Sequence, residues 1–283
     1  MRVGGEGWPA PCGTLPPLLR ATFQLTPGIG PWRERELWSA GVTRWEAFPP
    51  AGDAVSPKLD GRLREAIARA EDALCRADAE ALAAMLPRRE RWRLYGAFAD
   101  DAAFLDVETD AHQQVTAIGV LDRHGPRIFL QGRDLDDFPE AARPWKLLVT
   151  YNGLSFDAPV LERTFPGYRA PLAHVDLRHL FGRLGHSGGL KLLEEETGVG
   201  RPRHLKGVDG REAIQLWARH AEGDRAALRA LAEYNLYDAV NLKALAVVGY
   251  NRMIDRLRLP AEKLPAWERG DVLYDVTKLV LAL

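Results

Sequence analysis

Four short apolar runs between residues 102 and 151 constrain the fold more than any other feature of this 283-residue chain. They read AAFLDVE, QVTAIGVL, PRIFLQ and KLLVTY, and polar or Gly/Pro turns separate them, which predicts strands. The first three are joined by short links and predict an antiparallel meander, whereas a helical segment near 134–142 precedes the fourth and predicts a parallel addition. Since nearly everything after Asp176 has helical character, we expect an α/β domain with a mixed sheet flanked by helices.

A small helical region is expected to precede the sheet. The first residues are rich in Pro and Gly and predict an irregular arm, whereas 23–48 predict helix, hairpin and helix. An Ala-rich stretch at 58–86 predicts one or two further helices that end at Pro87. We therefore divide the chain into an irregular arm, a helical region, the main domain and a C-terminal extension, at residues 1–22, 23–90, 91–250 and 251–283.

Composition narrows the cellular setting and the partners. Cys12 and Cys75 match neither a disulfide framework nor a zinc pattern, so a reducing, cytoplasmic setting is expected. The N-terminus does not resemble a signal peptide, and no run of roughly eighteen apolar residues indicates a membrane partner. The net charge of −1 counts mildly against nucleic acid, although basic walls such as RRERWR at 88–93 beside an acidic cleft would give the same total.

Two carboxylates lie two positions apart in the first predicted strand. Because side chains alternate across a strand, Asp106 and Glu108 project from one face, while Leu105 and Val107 can face the core. Neighbouring carboxylates repel each other and shift towards protonation unless a cation compensates them, and a divalent metal is the usual compensation. Alone, this pattern also fits a strand that carries solvated acids.

A third acid follows the fourth predicted strand. The segment YNGLSFDAPVL places Asp157 in the first turn of a helix at the carboxyl end of that strand, where open α/β sheets bind ligands. Asn152 and Gly153 would form the turn, and Phe156 and Val160 fit a core-facing stripe. An acid in a first helical turn is also favoured by the helix dipole alone, so both interpretations stay open.

A fourth acid lies in the late helical segment EYNLYDAVNL. Tyr234 and Asp238 are four residues apart, so they stack on one helical face and can reach the same site. A buried tyrosine flanked by a solvated aspartate is the alternative. Leu236 and Tyr237 are expected to serve packing.

The order DxE, NxxxFD and YxxxD resembles the DEDD exonucleases of the ribonuclease H-like superfamily, in the subgroup with tyrosine in the third motif. In the histidine subgroup a His precedes the last Asp by five residues, and that position is Glu233 here. The segments HVDLRHL and GGLKLLEEETG are also similar to bacterial exonuclease-domain proteins of the YprB type, so the resemblance spans about residues 102–248. It implies a ribonuclease H-like fold and metal-dependent 3'-to-5' exonuclease activity.

The resemblance also implies two divalent metal ions, Mg²⁺ or Mn²⁺, held by four carboxylates. Asp106 would bridge both ions, Glu108 and Asp238 would complete the ion on the side of the nucleophile, and Asp157 would support the other. Such hard cations prefer oxygen ligands. Tyr234 would orient the attacking water, because a phenol with a pKa near 10 is a poor base at neutral pH.

Five further residues are candidates for contact with nucleic acid. Thr109 could contact the terminal nucleotide, and Asn152 could touch a phosphate, although a role in the turn is favoured for it. Lys191 could meet the backbone, although a lysine on a helix surface is usually solvated. The segment LTPGIG, with Gly28 and Gly30, resembles the hairpin of a helix-hairpin-helix motif, which binds duplex phosphates through backbone N–H groups. A turn between packed helices is the alternative.

Other polar residues are interpreted structurally. Asp176 is expected to be the N-cap of a helix that begins at Leu177. His174, His179 and His186 form no recognisable metal spacing.

Three functional hypotheses follow. Nucleic acid is the expected partner, and single-stranded or 3'-ended DNA is favoured because of the hairpin-like segment. RNA trimming stays open, because four acids do not distinguish the sugars whereas the 2'-hydroxyl does. A non-catalytic nucleic-acid-binding module with the same fold is the third hypothesis, although it would not need all four acids and the tyrosine. Protein partners and oligomeric state stay undetermined.

Overall fold

A computed structural model of the chain describes residues 18–50, 54–205, 210–266, 272 and 274–283. Most of the arm expected at 1–22 therefore lies outside the described residues. The last part of that segment is packed, since Leu18 and Leu19 are buried and Leu19–Ala21 form a 3-10 turn. These residues belong to the core rather than to an irregular arm.

The segment before the sheet is helical, as the sequence predicts. Asp78 caps the third helix through the backbone N–H of Ala81. That helix ends at Met85, and Leu86 is extended because it precedes Pro87 and the residue before a proline disfavours helical backbone. The α-helices here are α1 (Pro31–Ser39), α2 (Pro57–Cys75), α3 (Ala79–Met85) and α4 (Tyr95–Phe98), with 3-10 turns at Trp45–Ala47, Arg88–Leu94 and Ala99–Asp101.

Residues 23–48 differ from the predicted order of helix, hairpin and helix. The part of the chain described before the hairpin contains only the 3-10 turn at Leu19–Ala21, and α1 follows the hairpin. The backbone N–H of Phe23 donates to the Glu34 carboxylate at 2.8 Å. This contact comes from a side chain of α1, which no local pattern at residue 23 could indicate.

The sheet has five strands in the order β3-β2-β1-β4-β5. The first three form an antiparallel meander, and β4 and β5 add parallel to β1, as predicted for the fourth run. The strands are β1 (Ala102–Thr109), β2 (Val115–Asp122), β3 (Gly125–Leu130), β4 (Leu147–Thr150) and β5 (His174–Asp176).

Helices make up most of the chain after β3. Among the described residues no helix is both long and apolar enough to cross a bilayer. The longest has 33 residues and continues past residue 250, where the main domain is predicted to end. These helices are α5 (Phe138–Ala142), α6 (Asp157–Thr164), α7 (Leu177–Arg183), α8 (Leu190–Thr197), α9 (Gly210–Ala221), α10 (Arg225–Leu257) and α11 (Thr277–Leu281).

The two faces of the sheet belong to two apolar cores. On β1, Ala103, Leu105 and Val107 face a core with α5 and α6, whereas Ala102 and Phe104 face a larger core with α10 and the N-terminal helices. The N-terminal helical region and the sheet thus share one core. The acids on the even positions of β1 lie on the α10 side.

Part of the basic segment at 88–93 is structural. The Arg93 guanidinium is buried and donates to both carboxylate oxygens of Glu34 at 2.9 Å and to Glu90 at 2.9 Å. Arg183 of α7 also donates to Glu90 at 3.2 Å. Arg93 therefore joins α1 to the segment before β1. The sequence predicts that residues 88–93 form a solvent-facing basic wall, and for Arg93 this prediction is wrong.

The turn between β4 and α6 is anchored by one carboxylate. Asp176 caps α7, as predicted, and its oxygens also accept the backbone N–H groups of Asn152 and Leu154 at 2.9 and 3.1 Å. Asn152 adopts a left-handed backbone, φ +69°, which this residue tolerates better than most. The spacing of Phe156 to Val160 predicts that Phe156 faces the core. This prediction is wrong, because Phe156 is 38% exposed.

Helix α10 lies unusually close to the sheet at Gly119 of β2, the residue paired with Asp106. A Cβ built on Gly119 would stand 2.6 Å from Oδ1 and 2.8 Å from the backbone oxygen of Asn235. Backbone atoms of a packed helix cannot move aside independently. The absence of a side chain at residue 119 therefore permits the close approach of α10 to β2.

We predict that Gly119→Ala lowers the free energy of unfolding by about 1–3 kcal/mol, the usual cost of overpacking a core. The matched control is Gly61→Ala in α2, where an added Cβ meets nothing within 4 Å and alanine favours the helix. Urea unfolding followed by circular dichroism measures both variants. Equal midpoints for Gly119→Ala and wild type would show that α10 does not rest on this glycine.

Candidate metal centre

The first two acids of the site come from β1. Asp106 and Glu108 project from the face opposite Leu105 and Val107, which are buried, as strand alternation predicts. Both carboxylates are half-buried. The strand thus presents two neighbouring negative charges to α10.

Helix α10 supplies the third acid. Asp238 is buried, and one carboxylate oxygen from each of Asp106, Glu108 and Asp238 lies within 4.8 Å of the others. Tyr234, one helical turn before Asp238, is also buried beside these acids. Residues more than a hundred positions apart therefore form one cluster.

Crowding changes the protonation of these acids. Burial, together with the charge of Asp238, raises the pKa of Asp106 to about 7. Burial and the charge of Asp106 also raise the pKa of Glu108 well above its ordinary value. The cluster therefore binds protons at neutral pH unless another cation neutralises it.

The fourth predicted acid, Asp157, lies at the first position of α6 and is buried. Its Oδ1 accepts the backbone N–H of Val107 at 3.0 Å, so it is fastened to β1 between the two acids of that strand. Burial, and then the charge of Asp106, raises the pKa of Asp157. Asp157 adjoins the three-acid cluster without being one of its three members.

Asn235 positions Asp106, a role that sequence patterns did not predict. Its Nδ2 donates to the Asp106 carboxylate at 2.8 Å and to the Asp106 carbonyl at 3.1 Å. The sequence shows only an asparagine beside Tyr234, and its complete burial appears only in the structure. The same side chain covers Gly119, so the helix–sheet contact and the orientation of the acid are coupled.

Two cations reach Asp238. The ammonium of Lys191 and Nη2 of Arg201 both contact its Oδ1, and Lys191 lies 4.4 Å from the centre of the Tyr234 ring. Lys191 is therefore an ion-pair partner in the site and not a solvated surface residue. Arg201 is buried between Asp238 and Glu194, to which it donates two bonds of 2.9 and 3.0 Å.

Sequence patterns did not single out Arg201 or Glu194. Asn241 of α10 also donates to Glu194 at 2.9 Å, which fixes that carboxylate from a second side. Glu194 lies in the segment GGLKLLEEETG, and Arg201 lies outside every motif. Glu194 and Arg201 are identified as parts of the site only by the structure, in which α8 and the residues after it pack on α10.

The remaining candidates occupy other positions. Thr109 ends β1 beyond an irregularity after Glu108, and the Asn152 side chain accepts a bond of 3.0 Å from Arg178. Gly28 and Gly30 lie at the hairpin before α1, where Gly28 has φ +99° and Gly30 is the N-cap of α1. None of these four residues belongs to the three-acid cluster found among the described residues.

The residues present suit a divalent cation. Three carboxylate oxygens converge, a fourth carboxylate is buried alongside, and burial together with the neighbouring negative charges raises the pKa values of Asp106 and Asp157. Hard ions such as Mg²⁺ and Mn²⁺ take oxygen ligands of this kind. The donor set does not determine the number or the identity of the ions.

Comparison with protein families identifies the fold. Residues 103–250, just over half of the chain, match the family model described as RNase_H superfamily, and the chain belongs to that superfamily. The matched segment contains every acid of the site. No curated protein and no solved structure shows significant similarity. Members of the superfamily are mostly nucleases that usually use divalent metals, so the fold and the acids together indicate a nuclease-type function.

We predict that Mg²⁺ or Mn²⁺ raises the thermal unfolding midpoint of the wild type, and that a chelator reverses the shift. Because protons compete for Asp106, whose pKa is raised to about 7, the metal-induced shift should grow as pH rises from 6 to 8. Asp106→Asn and Asp238→Asn should abolish it. Asp136→Asn, an exposed acid in the turn before α5, is the control and should respond like wild type.

Without metal, the same pKa predicts the opposite dependence of stability on pH. A carboxyl whose pKa is raised in the folded state adds stability at acidic pH, and this contribution is lost as pH rises from about 4 through 7. Relative to Asp106→Asn, metal-free wild type should lose up to about 1.4 kcal/mol per pH unit in that range. Parallel pH profiles for the two proteins would contradict the raised pKa.

Proposed function

We propose that this protein is a metal-dependent 3'-to-5' exonuclease of the DEDDy type that hydrolyses the phosphodiester bonds of DNA with two Mg²⁺ or Mn²⁺ ions. The observation that carries the proposal is the convergence of Asp106, Glu108 and Asp238 within 4.8 Å in a member of the RNase_H superfamily. The order of the three motifs supports the DEDDy assignment and the similarity to exonuclease-domain proteins of the YprB type.

Each carboxylate has a distinct role in this proposal. By resemblance to the DEDD exonucleases, Asp106 would be shared by both metal sites, whereas Glu108 and Asp238 would complete the site nearer the attacking water. Oδ1 of Asp157 is bonded to the Val107 N–H, which leaves its other oxygen for the second site, directly or through water. Bound divalent ions would supply an activated water and charge stabilisation at the phosphate and the leaving oxygen.

Tyr234 is proposed to orient the attacking water. Burial, and then the charge of Asp238, raises the pKa of Tyr234 above its ordinary value, so the phenol keeps its proton at neutral pH. A protonated hydroxyl can hold a water by hydrogen bonding but cannot take a proton from it as a base. Positioning is therefore the role that its surroundings support.

Lys191 is the proposed cationic contact to the substrate phosphate. Its side chain is one-third exposed, and its partner Asp238 is one of the proposed metal ligands. A divalent cation held by Asp238 would compensate its charge and would leave the Lys191 ammonium free to contact a phosphate. Arg201 is buried and held by Glu194, so it would stay in place and keep Asp238 oriented.

DNA is the proposed substrate, as single strands or 3' ends. The hairpin with Gly28 and Gly30 is the feature that favours DNA, because exposed Gly-rich turns can bind phosphates through backbone N–H groups. Thr109 and Asn152 are proposed to contact the terminal nucleotide and a phosphate. The few cysteines favour a cytoplasmic setting. Trimming of RNA 3' ends remains the alternative, since no residue assigned here reads the 2'-hydroxyl.

We predict that the wild type, with Mg²⁺ or Mn²⁺, shortens 5'-labelled single-stranded DNA in a ladder from the 3' end. Asp106→Asn and Asp238→Asn should each lower the rate by more than about 100-fold, since losing even an outer-shell metal partner costs up to that factor. Asp136→Asn should keep full activity.

The same assay separates the alternatives. Immediate release of a labelled mononucleotide would contradict the 3'-to-5' direction, and faster cleavage of an RNA strand of the same sequence would favour the exoribonuclease. Binding of DNA without cleavage under any metal condition would favour the non-catalytic module. Equal activity in Asp106→Asn would remove the metal centre from the reaction.

We predict that Tyr234→Phe lowers kcat on DNA by roughly 10- to 100-fold, the cost expected for a misplaced reactant, with KM little changed. Tyr250→Phe is the matched control, because Tyr250 is a buried tyrosine of the same helix whose hydroxyl has no hydrogen-bond partner among the described residues. Removal of that hydroxyl should leave kcat unaltered. Full activity in Tyr234→Phe would exclude the proposed orientation of water.

A further inference from the structure

A cavity with several charged residues in its walls lies at the β5 edge of the sheet. It has a volume of about 700 Å³ and is bounded by the 3-10 turn Arg88–Leu94, by β5, by α7 and by the link from α7 to α8. Its charged and aromatic walls include Arg88, Arg89, Tyr151, His174, Arg178 and Arg183. The N-terminal helical region thus contributes a wall to a cavity of the RNase_H domain.

The positive charge of two of these arginines is not neutralised by a carboxylate within the described part of the chain. Arg89 and Arg183 both approach the buried Glu90, at 3.7 and 3.2 Å, so their charges are partly compensated. Arg178 donates to the neutral amide oxygen of Asn152, and Arg88 has no hydrogen bond or ion pair with a described residue. An uncompensated pair of guanidinium groups at a cavity is suited to bind phosphate.

The other titratable groups of the cavity do not cancel this charge. Asp176 is the carboxylate in the wall, and its oxygens accept the backbone N–H groups of Asn152, Leu154 and Arg178. Burial lowers the pKa of His174 to about 4, so this ring is neutral near pH 7. The net charge of the cavity is therefore positive and comes from its arginines.

Two residues that line the cavity are close in sequence to residues of the acidic centre. Leu154 is three residues before Asp157, and Gly188 is three residues before Lys191, so each pair is separated by at most about 11 Å of backbone. The hydroxyl of Tyr151 donates to the Gly188 carbonyl at 2.6 Å and ties the two walls together. A nucleic-acid strand whose end lies at the acids could therefore place its next phosphates near the arginines of the cavity.

We propose that this cavity binds backbone phosphates of the same nucleic-acid strand whose end lies at the acidic centre, with Arg88 and Arg178 as the phosphate ligands. This inference rests on the proposed function for the direction of the strand. Tyr151 and His179 at the wall offer ring faces on which bases can stack, as in grooves that bind single strands. A strand of several nucleotides would thus bind more tightly than its terminal residue alone.

The test is equilibrium binding of a 5'-fluorescein-labelled single-stranded DNA of about 12 nucleotides to the full chain in a chelator, followed by anisotropy. Arg88→Gln/Arg178→Gln should weaken binding about tenfold and reduce the slope of log K against log [salt] by roughly 1.4, or 0.7 for each lost phosphate contact. The control Arg62→Gln/Arg69→Gln removes two exposed arginines of α2 and should bind within twofold of wild type.

Folding and partner class are tested in parallel. Arg88→Lys/Arg178→Lys keeps both charges and should retain the salt slope, which a collapsed cavity would not do. Unchanged DNA affinity in the Gln variant, or a loss of slope in the Lys variant equal to that in the Gln variant, would overturn the inference. Displacement of the DNA by poly-glutamate as effectively as by unlabelled DNA would overturn it in favour of an acidic polypeptide.

Wild-type cleavage separates this inference from the proposed function. If DNA binding depends on Arg88 and Arg178 but no cleavage occurs, the exonuclease proposal fails while the cavity assignment stands. If the wild type degrades DNA and the Gln variant has the same KM, the cavity assignment alone fails.

Discussion

The contact of α10 with Gly119 is the constraint on which the site depends. Asn235 rests where any side chain at residue 119 would lie, and the same asparagine bonds to Asp106 on the neighbouring strand. This close approach brings Asp238, three residues further along α10, within reach of the β1 acids. The packing of α10 on the sheet and the assembly of the acidic cluster therefore depend on each other, because both use the side chain of Asn235.

The assembly of the cluster costs free energy, because it brings three negative charges close together. Asp106, Glu108 and Asp238 repel one another in a partly buried space, and burial together with this repulsion raises the pKa values of the first two. Lys191 and Arg201 offset part of it at Asp238. A divalent cation would offset more of it, which is the physical reason for regarding the cluster as a metal centre of a nuclease-type RNase_H protein.

Features governed by short-range rules were predictable. The alternation that exposes Asp106 and Glu108 on one face of β1, and the cap that Asp176 places on α7, depend on residues within a few positions of each other. Features governed by distant partners were not. Phe156 fits a core stripe by spacing yet is exposed, and Arg93 belongs to a basic run yet is buried against Glu34, which lies 59 residues earlier.

The amino-acid sequence by itself determined the meander with its parallel addition, the helical surroundings and the three motifs that supply the acids. Strand and helix periodicities and turn residues act over a few positions, so these features can be read locally. Only the tertiary structure decided that Asn235, Lys191 and Arg201 surround those acids, and that Arg88 and Arg178 meet at one cavity. These side-chain contacts depend on how helices and strands that are far apart in the sequence pack together, and no local sequence pattern predicts the distances between them.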